Sequence, residues 1–236
     1  MKIDFEGNRP FLVTFVFVTF FTAIYLFGHQ SPEFLWNEDG LVEVTSALAY
    51  FFAIWACLMG IARSRGLVRA YFVLWAILCI VFFGEETSWL QHWIGYQTPE
   101  AIARINEQRE FNIHNLNWFP EGSLLKETSI RGWLGSLFAS QNLFRLGFVC
   151  YFLLLPAVFS SRWGKRLNET LRVPYVGKKL LIFIWVPIAV SALLSVLSVG
   201  DVDVKTQVAE AREAYYAISI LVFVALMVSG SRSRRT

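Results

Sequence analysis

Glu85 and Glu86 stand side by side where an apolar run, Val73 to Phe83, comes to its end. Carboxylates at a membrane boundary are costly unless paired, solvated or bound to a cation, so the doublet marks a functional site by default. Other groups of the right type accompany it. Glu110 and His114 are four residues apart, and Glu43 and Glu213 each stand near the start of an apolar stretch. Mixed carboxylate and imidazole ligands suit zinc, manganese or iron, and a catalytic zinc needs three protein ligands with an open position for water. Glu43, Glu86, Glu110, His114 and Glu213 therefore read as the ligand supply for a divalent metal, zinc favoured. Glu85 then serves as general base toward metal-bound water. If the helix carrying Glu85 continues past Gly84, His92 falls on the same face two turns later, with Ser88 and Trp89 between.

The elements that must position these groups are membrane-spanning. Of the 236 residues, 56% are hydrophobic, 17% aromatic and only 17% charged, too apolar for an ordinary soluble domain of this length. Six stretches approach the length needed to cross a bilayer: Phe11 to Phe27, Leu41 to Ile61, Val68 to Gly84, Leu143 to Ser160, Leu180 to Val199 and Ala214 to Val228. The expected fold is all-α: one polytopic membrane domain over 1–236, a bundle of six transmembrane helices with a long outer loop over 85–142. No small-residue cleavage site follows the first stretch, which reads as an uncleaved helix.

Basic residues crowd the second connection (Arg63, Arg65, Arg69), the fourth (Arg162 to Lys179) and the C-terminal end (Arg232, Arg234, Arg235). The positive-inside rule then puts both termini in the cytoplasm, in a bacterial inner membrane, and the first, third and fifth connections outside. The net charge of +3 is an orientation signal, and no nucleic-acid partner is implied. All three histidines, His29, His92 and His114, fall on the outer side, as do Glu38, Asp39, Asp201, Asp203, Glu210 and Glu213.

The loop between the third and fourth stretches is roughly 55 residues long, far more than a plain connection needs. Thr98-Pro99-Glu100 has the chemistry of a helix start: a hydroxyl cap, proline at the first helical position, an acid in the first turn. A helix from there to His114 would bring Glu107, Glu110 and His114 to one face. Trp118, Phe119, Ile130, Trp133, Leu134, Leu137 and Phe138 favour the headgroup region, so the loop is expected to lie on or dip into the outer leaflet. Ion pairs of Glu107 with Arg104 or Arg109, and of Glu210 or Glu213 with Arg212, are expected to be exposed and of small energy. Cys57, Cys79 and Cys150 fall inside spans as small packing residues, and neither a disulfide framework nor a CxxC motif is present.

Gly84-Glu85-Glu86-x-Ser88-Trp89-x-Gln91, then Thr98-Pro99, then Asn106-x-Gln108-x-Glu110-x-Asn112-x-His114-Asn115 resembles a pattern in uncharacterised bacterial multi-pass membrane proteins. The resemblance covers residues 84 to 116 and implies a fold, with no reaction attached. In that pattern an arginine often stands where His92 is, which makes His92 the doubtful member of the metal set. A looser similarity in logic links the chain to alkaline-ceramidase-type membrane hydrolases, although their His-x-x-x-His pair is missing here.

The function expected is metal-dependent hydrolysis or transfer on a lipid or lipid-linked substrate at the outer membrane edge. Two alternatives stand beside it: a non-enzymatic assembly or sensing subunit, and a cation- or proton-linked binding or transport protein. The partners expected are membrane lipid and a membrane protein or second copy of the chain.

Overall fold

The computed structural model describes residues 1–5, 9–28, 35–36, 40–104, 106, 109–113, 140–198 and 200–232. The chain is all-α, with helices α1 (Arg9–Phe27), α2 (Leu41–Arg63), α3 (Gly66–Glu86), α4 (Gln91–Ile94), α5 (Glu100–Ala103), α6 (Ser140–Val149), α7 (Leu155–Ser160), α8 (Arg162–Leu171), α9 (Lys178–Leu197) and α10 (Val202–Arg232). Among the described residues six helical stretches are long and apolar enough to cross a membrane, matching the six read from hydropathy to within a few residues except at the start of the last. There the helix begins twelve residues before Ala214. At 1.5 Å per residue its 31 residues extend about 46 Å, against a hydrocarbon layer of about 30 Å. The continuously apolar part is 214–228, and the turns before it carry Asp203, Lys205, Glu210, Arg212 and Glu213.

The described chain divides into two compact units, 1–80 with 158–236, and 81–157. In the first, α2 and α10 pack along their length. The buried face of α2 is a stripe of small residues, Ser46, Ala49, Ala53, Cys57 and Gly60, three or four apart. Small residues let backbones approach where lipid supplies no hydrophobic drive between helices. Gly60 is required: a β-carbon there would lie 2.4 Å from the Phe72 ring of α3. Tyr215 of α10 meets Phe17 and Phe21 of α1 and Phe183 of α9 with ring centroids 4.6, 6.0 and 5.7 Å away. Its hydroxyl donates to the Phe183 carbonyl, so the one polar atom in that aromatic cluster is satisfied. A two-residue parallel ladder joins β1 (Lys2–Ile3) to β2 (Tyr175–Val176). Beside it, Asp4 Oδ1 accepts from Leu180 N at 2.9 Å and so caps the start of α9. Residues such as Phe15, Trp55 and Leu193 are exposed, as spans surrounded by lipid require.

The second unit holds the end of α3, the described residues of the connection that follows it, and α6. Phe144, Phe148 and Phe152 form an aromatic ladder, and Phe144 meets Phe82 of α3 edge-on at 5.1 Å. Between α6 and α7 the helix widens into a π turn, Cys150–Leu154. Pro156 follows directly; its missing N–H cannot serve the carbonyl four residues earlier, and such turns absorb that kind of misfit.

Candidate functional site

The sequence motif of residues 84 to 113 resolves into a hydrogen-bonded clasp within the second unit. α3 stops at Glu86, and Ser88, Trp89 and Leu90 then take left-handed backbone angles in succession (φ 43°, 54° and 68°). Each non-glycine residue there costs about 1 kcal/mol or more, so side-chain bonds must hold the reversal in place. They do. The Trp89 ring folds back over Gly84, where a β-carbon would lie 2.7 Å from it, and Trp89 Nε1 donates to Glu85 Oε1 at 3.1 Å. The other oxygen of Glu85 accepts from Ile113 N at 2.8 Å. Ser88 Oγ donates to Glu110 Oε2 at 2.5 Å and accepts from Asn112 Nδ2 at 3.0 Å. Tyr96 donates its hydroxyl to the Ser88 carbonyl at 3.1 Å.

Asn106 and Asn112, 3% and 4% exposed, are the hub. Asn106 Nδ2 donates to Asn112 Oδ1 at 2.9 Å, Asn106 Oδ1 accepts from Glu110 N at 3.1 Å, and Asn112 Nδ2 also reaches Glu110 Oε2 at 2.8 Å. Gln91 Oε1 accepts from Phe111 N at 2.8 Å and from Thr98 Oγ1 at 3.1 Å.

This geometry corrects two expectations. Glu85 and His92 do not share a helix face, because the left-handed run separates α3 from α4, which carries His92. The helix expected from Thr98 to His114 lasts only from Glu100 to Ala103, with Pro99 at its cap position, because Thr98 is spent on Gln91. Beyond it the Asn106 side chain takes the Glu110 N–H that a continuing helix would have claimed, the usual way asparagine competes with helix. Arg104 pairs with Glu100, one turn away, and Glu107, expected to pair with Arg104 or Arg109, lies outside the described residues.

The described members of the expected metal set are divided between the two units. Glu86 and Glu110 belong to the second unit, Glu86 half-buried in the last turn of α3 and Glu110 in the clasp. Glu43 and Glu213 belong to the first. His114, His29, Glu38, Asp39, Glu107 and the aromatic segment Trp118 to Phe138 lie outside the described residues. Among the described residues no group of three or more His, Cys, Asp and Glu side chains is arranged to hold a metal ion.

A second group of carboxylates lies within the first unit. Glu43, in the first turn of α2, and Glu213, on α10, are close enough to Glu210 for their charges to act on it. All three are half-buried. Glu210 is pushed up to about 7, first by its own desolvation, then by the charge of Glu213 and then by that of Glu43. The Arg212 guanidinium reaches Ser195 Oγ of α9 at 3.4 Å. Glu43 and Glu213 were legible as boundary acids. Glu210 as their focus was not, since it follows from the packing of α2 on α10.

No protein-family model matches the chain, and neither a curated protein nor a solved structure is significantly similar to it.

Proposed function

We propose that this chain is a polytopic membrane protein acting on a lipid or lipid-linked substrate at the outer membrane edge by general acid–base chemistry, with Glu210 as the proton-exchanging group. The observation that carries the reading is the raised proton affinity of Glu210, about 7, produced by burial and by two carboxylates held on neighbouring turns and on a neighbouring helix. A group that titrates near the working pH serves equally as donor and acceptor, and such groups concentrate at active sites. Glu43 and Glu213 are positioning residues here, since they keep the proton on Glu210 near neutrality. The apolar helices on either side bring a lipid substrate to the same depth without passage through water.

The test is incubation of purified protein in liposomes of mixed phospholipids, with the lipids analysed by mass spectrometry at pH 6 to 8. Turnover is expected in the wild type and loss of it in Glu210→Gln. Undiminished turnover in Glu210→Gln overturns the assignment, and stoichiometric zinc lost on Glu86→Gln transfers the chemistry to Glu86, Glu110 and His114. Proton-linked cation flux without lipid turnover establishes a transport role in its place.

The clasp around Glu110 favours a second reading, a non-catalytic membrane subunit. Its polar groups are engaged with one another, as in networks that rigidify a surface for assembly. In that case no lipid is converted under any condition, and a partner protein or second copy is retained through mild solubilisation by the wild type and released by Asn112→Ala.

A further inference from the structure

α7 ends at Ser160 and α9 begins at Lys178, and both belong to stretches long and apolar enough to cross a membrane, so whatever joins them stands at a membrane boundary. α8 fills most of that connection and is two-sided. Trp163, Leu167 and Leu171 recur every four residues along one stripe, while Arg162, Lys165, Arg166 and Glu169 take the opposite one.

The chain is built to turn α8 out of the direction of α7. In one straight helix residues 158 and 164 would stand about 9 Å apart along the axis. Here a β-carbon on Gly164 would lie 2.0 Å from the Val158 carbonyl oxygen, so only glycine lets α8 fold back this closely on the last turn of α7. Ser161 Oγ donates to the same carbonyl at 2.7 Å and accepts from Gly164 N at 3.0 Å, which caps the new helix. The far end is tied as firmly. Tyr71 of α3 donates its hydroxyl to the Leu171 carbonyl at 2.7 Å, the Met1 ammonium donates to the Val173 carbonyl at 2.8 Å, and Tyr175 meets Phe159 edge-on at 5.4 Å.

Held in this way, α8 leaves both stripes open. Trp163 is 69% and Leu171 41% exposed. Arg162, Lys165 and Arg166 are exposed too, and none has a carboxylate within ion-pair distance among the described residues. The Tyr71 bond places the exposed Arg65 and Arg69 at the same end of the first unit. Asp4, the described carboxylate there besides Glu169, is taken up by Lys2 and by the start of α9. The two stripes demand different surroundings at one depth: hydrocarbon for Trp163 and Leu171, anions for the three cations. A leaflet of anionic phospholipid supplies both, because a short helix of this pattern lies in the interface plane and its long basic side chains reach the phosphates.

From this arrangement we infer that α8 lies in the membrane surface at the basic end of the first unit and binds anionic phospholipid, with Trp163 and Leu171 among the acyl chains and Arg162, Lys165 and Arg166 on the head-group phosphates. The inference goes beyond the lipid conversion proposed above and does not depend on Glu210.

The experiment uses the full chain in phosphatidylcholine liposomes containing a photoreactive phosphatidylglycerol or, in parallel, the matching phosphatidylcholine, each with a diazirine near the ester end of one acyl chain. Irradiation and digestion are followed by mapping of the crosslinks by mass spectrometry. One cation at an anionic surface is worth about fivefold, so three partly screened ones are expected to make the phosphatidylglycerol probe label residues 162–171 about tenfold more than the choline probe. The lipid-facing Trp55 and Leu193 are labelled equally by both, which reports an intact bundle in every variant. Arg162→Gln, Lys165→Gln and Arg166→Gln together, all at exposed positions, bring the ratio at α8 close to one while Trp163 stays labelled, and 1 M salt acts in the same direction. Equal labelling of α8 by the two probes in the wild type overturns the recognition of anionic lipid. An α8 that neither probe labels, whether crosslinked to a second copy of the chain or oxidised at Trp163 by radicals generated in the water phase, overturns its place in the membrane surface.

Discussion

Glu110 and Glu210 carry the same carboxylate in opposite settings. Glu110 is surrounded by donors, Ser88 Oγ and Asn112 Nδ2, held there by a backbone reversal built for them. Glu210 is half-buried beside two more carboxylates, Glu43 and Glu213, and holds its proton up to about 7. A carboxylate given donors becomes part of the scaffold. One given like charges holds its proton more tightly, and while the motif rich in acids and amides describes the clasp, the carboxylate with the raised proton affinity sits outside that motif.

The contrast breaks most readily at the hub of the clasp. Asn112→Ala removes donors from Ser88 and Glu110 and one of two acceptors from the Asn106 amide, which keeps the backbone carbonyl of residue 112 at 3.1 Å; with three hydrogen bonds lost at about 1 kcal/mol each, a loss of about 3 kcal/mol is expected. Tryptophan-fluorescence unfolding in detergent measures it, and a loss below about 1 kcal/mol would mean that water replaces the network without difficulty. Glu110→Gln keeps the shape but swaps a charge-assisted acceptor for a neutral one, with an expected loss of about 1 to 2 kcal/mol in the same assay.

Glu210 has the opposite sign. Its ordinary value is 4.5 and its value in the fold about 7, so between those pH values the folded chain holds a proton that the unfolded chain has released. Stability is therefore highest below about 4.5, falls as pH rises to about 7, and stays lowered above it. Glu210→Gln removes the penalty. The variant is expected to be more stable than wild type at pH 8 by about 1 kcal/mol, a figure reduced from the full linkage value because the side chain keeps much of its contact with water, and equal to it near pH 4. Equal stability of the two proteins across the whole range would remove the like-charge setting from Glu210. Infrared titration of the carboxyl band, wild type minus Glu210→Gln, reads the same midpoint directly.

The smallest effect sets the baseline for both settings. Arg104→Ala removes an exposed pair with Glu100 one helical turn away, and no more than about 0.5 kcal/mol should be lost. A larger change would mean that even solvated pairs in this loop carry structure.

Much of the fold was legible in advance because crossing a membrane is a local demand. Any stretch near 20 apolar residues meets it regardless of its neighbours, and the six helices appear where hydropathy put them. The residues of the clasp were grouped in advance only by the resemblance of the stretch from Gly84 to Asn112 to a pattern in bacterial multi-pass membrane proteins, and their task was not legible. Ser88, Trp89 and Leu90 carry no glycine to announce a left-handed run, and the helix expected to start with Thr98 as its cap starts one residue later, after Pro99, and ends at Ala103, short of Asn106.

The sequence by itself determined an all-α membrane chain, its six spans and a concentration of acids at their ends, since each of these depends on composition over one or two dozen consecutive residues. Only the tertiary structure decided which acids share a space. Glu43 meets Glu210 through the packing of α2 on α10, and Ser88 meets Glu110 through a reversal of the backbone. Charge and hydrogen bonding act over a few ångströms, and distance along the chain does not report distance in space.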